Sequence, residues 1–241
     1  MVKRTFSIIF KNWRLFLPLF AMGCLIGLIS IGTTQETLMV INTLILLSLW
    51  LISLFFVRRI TKKKTVRFKD GVFNAMGPLF SSLVVLIVLV IQCIPIIVVL
   101  VAYSSAIETG LFGDMFYGSL FVLFALAMFV LSMYLVSGTL MAMVAVSAPG
   151  MYPLRALMLT HEVMIGERVG FVVRLLWMVL VLALIWVVVV GIGVLIELGF
   201  NNIGQSVPAT NAAIFMCGCF SVIFAAVYLY LYHCKVLKIK D

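Results

Sequence analysis

Residues 58–69, RRITKKKTVRFK, hold seven cationic side chains (Arg58, Arg59, Lys62, Lys63, Lys64, Arg67 and Lys69) and no acid. Apolar runs long enough to cross a bilayer stand on either side, and a loop this basic is retained on the cytoplasmic face during insertion. Fixing one loop fixes the direction of every other crossing, so the whole chain acquires one orientation.

Composition makes the bilayer the solvent. Of 241 residues, 65% are hydrophobic and 10% charged, with a mean hydropathy of +1.31, where a soluble chain has roughly 45–50% and about 25%. Six spans of about 20 residues take up most of the length and leave no room for a soluble catalytic domain. The formal charge of +9 sits in short tracts beside apolar segments. That pattern suits an anionic inner leaflet rather than nucleic acid, with each base near the surface contributing about 1 kcal/mol. The cysteines (Cys24, Cys93, Cys217, Cys219, Cys234) lie in or at the ends of apolar segments and read as packing residues rather than a disulfide framework.

The expected fold is all-α, a polytopic membrane helix bundle forming a single integral membrane domain over 1–241. It has six transmembrane helices, interfacial amphipathic helices and both termini cytoplasmic. Residues 1–14 read as an amphipathic helix, with Phe6, Ile9, Phe10, Trp13 and Leu17 on one face and Lys3, Ser7, Lys11 and Arg14 on the other. The spans follow at 15–31, 38–57, 79–103, 119–147, 171–198 and 212–232, the first with Pro18 near its beginning. All 17 Lys and Arg then fall inside, while Glu36, Glu108, Asp114 and Glu197 fall outside. Gly23 and Gly27 form GxxxG in span one, and Gly218, Ser221 and Ala225 form a small-residue stripe in span six. Span four is long enough to need tilt or a bend near Ser137-Gly138.

Phe68, Val72, Met76 and Leu79 share a face of a second interfacial helix, and Pro153 can open a third that ends near Gly166. An interfacial helix thus precedes a two-span hairpin three times, at 1–57, about 65–147 and 153–232. Parallel repeats give this pattern, and so do unrelated hairpins with basic flanks. Ala21-Met22-Gly23-Cys24 also reads as a degenerate lipobox, but apolar residues continue to Ile31, which favours an uncleaved span.

Few residues could carry chemistry. Gln92, with Pro95 beside it, and Asn42 are the polar candidates inside spans. Arg155, His161 and Arg168 are the candidates for a lipid headgroup site, with Glu162 and Glu167 nearby. On a helix from Leu154, the residues Leu154, Met158, His161 and Ile165 point one way, and Arg155 and Glu162 share another face. The plainer reading makes His161 a packed or interfacial histidine and the arginines snorkelling side chains. His233-Cys234 and Cys217-x-Cys219 lack the spacing of a metal or redox site, and no phosphate loop, nucleophile elbow or dinucleotide fingerprint is present. No catalytic residue, metal or cofactor is therefore expected. The expected partners are membrane lipids, anionic on the cytoplasmic face, and not nucleic acid.

The run Pro153-Leu154-Arg155-Ala156-Leu157, then Thr160, then Gly166 before a long apolar segment, resembles the inner-loop signature of uncharacterised six-span bacterial inner-membrane proteins. These are similar to the membrane domain found beside glycerophosphodiester phosphodiesterases. FKDGVFNAMGPL (68–79) is similar to the first inner segment of the stand-alone members. His161 stands where such proteins often carry an aromatic residue. The resemblance implies a multi-pass protein of the bacterial plasma membrane, and with the catalytic domain absent it implies no phosphodiesterase activity. The expected function is non-enzymatic, that of a membrane scaffold or accessory factor in envelope or lipid homeostasis. The alternative is an uncoupled transporter or permease for a lipophilic or amphiphilic solute. A pocket lined by Gln92, Asn42 and small residues would favour transport, and a solidly packed bundle the scaffold.

Overall fold

The computed structural model describes residues 1–30, 35–62, 67–108, 115–148, 150–201 and 209–236. The outer turn at 32–34, Lys63, Lys64, Asp114, Pro149, the turn-rich stretch 202–208, Lys238 and Lys240 lie outside the described residues. Those described form ten helices and no strand: α1 (Val2–Lys11), α2 (Trp13–Ser30), α3 (Gln35–Thr61), α4 (Phe68–Ala75), α5 (Leu79–Gln92), α6 (Ile94–Glu108), α7 (Met115–Val146), α8 (Pro153–Met164), α9 (Arg168–Asn201) and α10 (Ala209–Val236).

Five stretches are long and apolar enough to cross a bilayer: Val40–Thr61, Leu79–Glu108, Met115–Val146, Arg168–Phe200 and Ala209–Val236. With so much apolar helix, the chain is a multi-pass membrane protein.

Between α1 and α2 the axis turns by 90°. Asn12 makes the corner. Its side-chain amide donates to the Ile8 carbonyl (2.9 Å) and closes α1, while its own carbonyl accepts from Leu15 (2.9 Å) and opens α2. Because α2 begins at Trp13, Pro18 lies inside the helix rather than in its first turn. α7 runs as one helix through Ser137 and Gly138. Two glycines take left-handed backbone angles that a Cβ would strain: Gly150 (φ 79°) after α7, and Gly166 (φ 89°) between α8 and α9.

By Cα proximity the chain divides into two compact units, one of Met1–Leu79 with Val173–Asp241 and one of Phe80–Val172. In the first, α2, α3 and α10 pack on one another. Leu19, Leu49, Ile52, Phe56, Phe224 and Tyr228 are almost wholly enclosed there. Gly23 permits the approach, since a Cβ on it would stand 2.8 Å from Leu49 Cδ1 and 3.3 Å from Cys219 Sγ. Cys24 lies in the same helix and its thiol hydrogen-bonds Cys219. The expected stripe on α10 packs less closely: Gly218 faces open space.

The α9 helix reaches α10 through a few specific links. Tyr228 donates to the Arg174 carbonyl (3.0 Å), Trp186 Nε1 to Ser221 Oγ (2.8 Å) and the Thr210 amide to Glu197 Oε2 (3.1 Å). A Cβ on Gly193 would stand 2.8 Å from that of Ala213.

A short helix precedes two long apolar segments three times, and the short ones share a packing rule. α4 packs on α3, α8 on α7 and α1 on α10, so each lies against the closing long helix of a hairpin other than its own. Their buried positions recur at a spacing of four and are mostly small: Thr5 and Ile9, Gly71 and Ala75, then Ala156, Thr160 and Met164. Small side chains on one helical face let a short helix seat closely against its neighbour.

Candidate functional site

The second unit holds both sets of polar residues that stand out. In the first, Pro95 breaks what would otherwise be one helix from Leu79 to Glu108. It has no N–H to offer Ile91, and the Ile96 amide bonds Cys93 (3.1 Å) instead of Gln92. The Gln92 carbonyl is thereby orphaned, which in hydrocarbon costs several kcal/mol. Ser132 Oγ on α7 donates to it at 3.0 Å, and Thr139, seven residues further on the same face, bonds Gln92 Oε1. Gln92 is thus occupied in repairing its own helix. Asn42, the other intramembrane candidate, is half-buried on α3 in the first unit. Replacing Ser132 by alanine is expected to cost about 1 kcal/mol, the scale of interhelical bonds in membranes, read as a lower thermal midpoint in detergent.

The other set surrounds Arg168. Gly166 turns the chain so that His161 in the last turn of α8 meets the first residue of α9. Arg168 Nη2 lies 2.9 Å from His161 Nδ1 and 3.2 Å from Nε2, and its guanidinium carbon lies 3.8 Å from the centroid of the Tyr134 ring on α7. Arginine has no acceptor, so a ring nitrogen accepts this bond and carries no proton in this arrangement. Arg168 is 8% exposed and its buried Nε has no partner among the described residues. No carboxylate there pairs with it.

Arg155 stands apart on the exposed side of α8, as does Glu162. The structure therefore joins His161 to Arg168 and leaves Arg155 separate. Three faces of α8 are distinct. Ala156, Thr160 and Met164 are buried, Arg155 and Glu162 are exposed, and Leu154, Met158 and Ile165 form an apolar face exposed by 67, 66 and 66%. His161 sits at the edge of that apolar face.

Tyr134 was not legible as a member of this group. It lies 34 positions from Arg168, near the middle of another long helix (Met115–Val146), and no local signal in the sequence marks it. In the first unit a further group also escaped sequence reasoning. Lys3, Arg174 and Trp177 line a groove of about 550 Å³ beside Tyr228, and Arg174 lies 5.1 Å from the centroid of the Tyr232 ring. Among the described residues no cluster of three or more His, Cys, Asp or Glu could hold a metal ion.

Comparison with known proteins finds no matching family model, no matching curated protein and no matching solved structure.

Proposed function

We propose that the chain crosses the bacterial plasma membrane six times with both termini cytoplasmic. It acts without catalysing a reaction, as a scaffold or accessory factor in envelope or lipid homeostasis. The observation that carries the non-transport reading is the engagement of Gln92, whose side chain and carbonyl are both held by α7. The strongest polar candidate for a solute path is thereby assigned to helix repair.

The sixth span is α2, whose 18 residues rise about 27 Å against a hydrocarbon core of about 30 Å. The right-angle corner at Asn12 then lays α1 along the inner surface, with Lys3, Arg4 and Lys11 exposed. The apolar outer face of α8 fits the same placement, with Met158 in the acyl region and Arg155 and Glu162 towards water.

Two measurements test this. Ser105, near the outer end of α6, is expected to react as cysteine with an impermeant maleimide from outside the cell, while a cysteine at Lys62 stays protected until the membrane is opened. The reverse pattern would invert the topology. In proteoliposomes carrying fluorescent phosphatidylglycerol, flip-flop is expected to match that of empty vesicles. Accelerated flip-flop abolished by Gln92→Leu would move the assignment to an uncoupled lipid transporter.

A further inference from the structure

The groove beside Arg174 lies entirely within the first unit. Val173, Leu176, Trp177 and Leu180 recur on one face of α9 at intervals of three and four, and they form its apolar wall. Each is between 46 and 61% exposed, so the wall is open to whatever surrounds the helix. Arg174 enters from the inner end of α9, Lys3 from α1, and among the described residues no acidic one lines the groove. From Arg174 to Leu180 the helix rises about 9 Å. One end is therefore cationic and the remainder apolar.

Two features make Arg174 a prepared ligand rather than a loose surface charge. Tyr228 ties its backbone carbonyl to α10, and its guanidinium approaches the Tyr232 ring. Stacking on a ring leaves the in-plane N–H donors free for a phosphate. Trp177, one turn further along, is the residue type that settles at the headgroup boundary. The volume of about 550 Å³ falls within the range of roughly 300–1,000 Å³ typical of small-molecule sites.

We infer that this groove holds one anionic phospholipid, its phosphate on Lys3 and Arg174 and an acyl chain along Leu176, Trp177 and Leu180. Charge complementarity selects the headgroup, and the apolar wall selects an intact lipid over a free phosphate. This inference rests on the inner placement of α1 proposed above. Protection of a Ser7→Cys site on α1 from the impermeant maleimide in intact cells tests that placement independently, so lost lipid preference with Ser7→Cys still protected would remove the groove alone.

The experiment is native mass spectrometry of the full chain with phosphatidylglycerol, using phosphatidylcholine as zwitterionic control. Phosphatidylglycerol is expected to be retained preferentially. Lys3→Gln and Arg174→Gln should each lower its affinity about fivefold, while Lys11→Gln with Arg14→Gln, two exposed cations outside the groove, should leave it unchanged. Arg174→Lys, which keeps the charge and loses the planar donors, should bind more tightly than Arg174→Gln and less tightly than the parent, which separates loss of charge from loss of fold. Leu180→Trp, which fills the groove and keeps both charges, should weaken binding several-fold. Equal losses in the two cation pairs, or undiminished binding in Leu180→Trp, would overturn the site. Competition by millimolar glycerol 3-phosphate would also overturn it, in favour of a free-anion site.

Discussion

Tyr134→Leu is expected to destabilise the second unit by about 2 kcal/mol, and Arg168→Met placed in the same chain is expected to recover most of that loss. Arg168 is 8% exposed, and its Nε has no partner among the described residues. Its compensation is the Tyr134 ring at 3.8 Å and one imidazole nitrogen. A desolvated cation–π contact is worth about 2 kcal/mol, and removing the ring leaves the buried charge with His161 as its partner among the described residues. Removing the cation instead also removes its desolvation cost, which is several kcal/mol for a buried ion, so an apolar side chain of similar length is close to neutral there. The double-mutant cycle, read from thermal or denaturant midpoints in detergent, should therefore be strongly non-additive. If Arg168→Met alone were as damaging as Tyr134→Leu, the guanidinium would be a net source of stability, and this account of the cluster would fail.

Gly71→Leu is expected to unseat α4, although leucine is intrinsically a better helix former than glycine by roughly 0.8 kcal/mol. An ideal Cβ on Gly71 stands 2.1 Å from Phe56 Cε1 and 2.9 Å from Cζ. The ring cannot swing aside. Phe56 is fully enclosed, with Phe16, Phe55 and Phe68 at centroid distances of 6.2, 6.4 and 5.9 Å. Overpacking of this kind costs about 1–3 kcal/mol, and a clash with a held ring belongs at the upper end, so the steric term exceeds the propensity gain. Ala75, buried at 3% exposure on the same face, supplies the readout. In a chain carrying Ala75→Cys, maleimide labelling should rise about tenfold or more when Gly71 is replaced, since each 1.4 kcal/mol is a factor of ten. Unchanged protection would mean that α4 is not held by this contact.

The apolar runs and the turn at Gly166 were readable because each is a local property of the chain. Helix periodicity assigned the faces of α8 correctly as far as one helix allows. Leu154, Met158 and Ile165 do share an exposed side, while the burial of Thr160 depends on α7 and has no local signal. Pro95 marked where a span would break. What was not readable is the repair, because Ser132 and Thr139 lie 40 and 47 positions from Gln92, and no spacing rule connects one long helix to the next. Arg168 shows the same limit. A linear reading makes it a headgroup candidate beside Arg155 and His161, and its withdrawal from solvent depends on an aromatic ring contributed from elsewhere. Of the small-residue motifs, Gly23 is used for close packing, whereas the α10 stripe loses its glycine to open space and the close approach falls to Gly193, which periodicity had not singled out.

The order in which helices emerge during synthesis makes the cyclic packing of the short helices a question of timing. α4 and α8 each follow the helix they pack on, so their seats exist when they leave the ribosome. α1 is made first, and its seat on α10, with Phe6 against Phe224 at 4.9 Å, belongs to the last described helix. At about 5–20 residues per second, α1 and the exposed inner face of the α2–α3 hairpin wait roughly 10–40 s for α10. Over that interval the surface that α2 and α3 later give to α10 has only lipid or an insertion factor for company. A ribosome stalled before Ala209 would release a chain whose first two long helices lack their third, which makes such truncations natural substrates for membrane quality control.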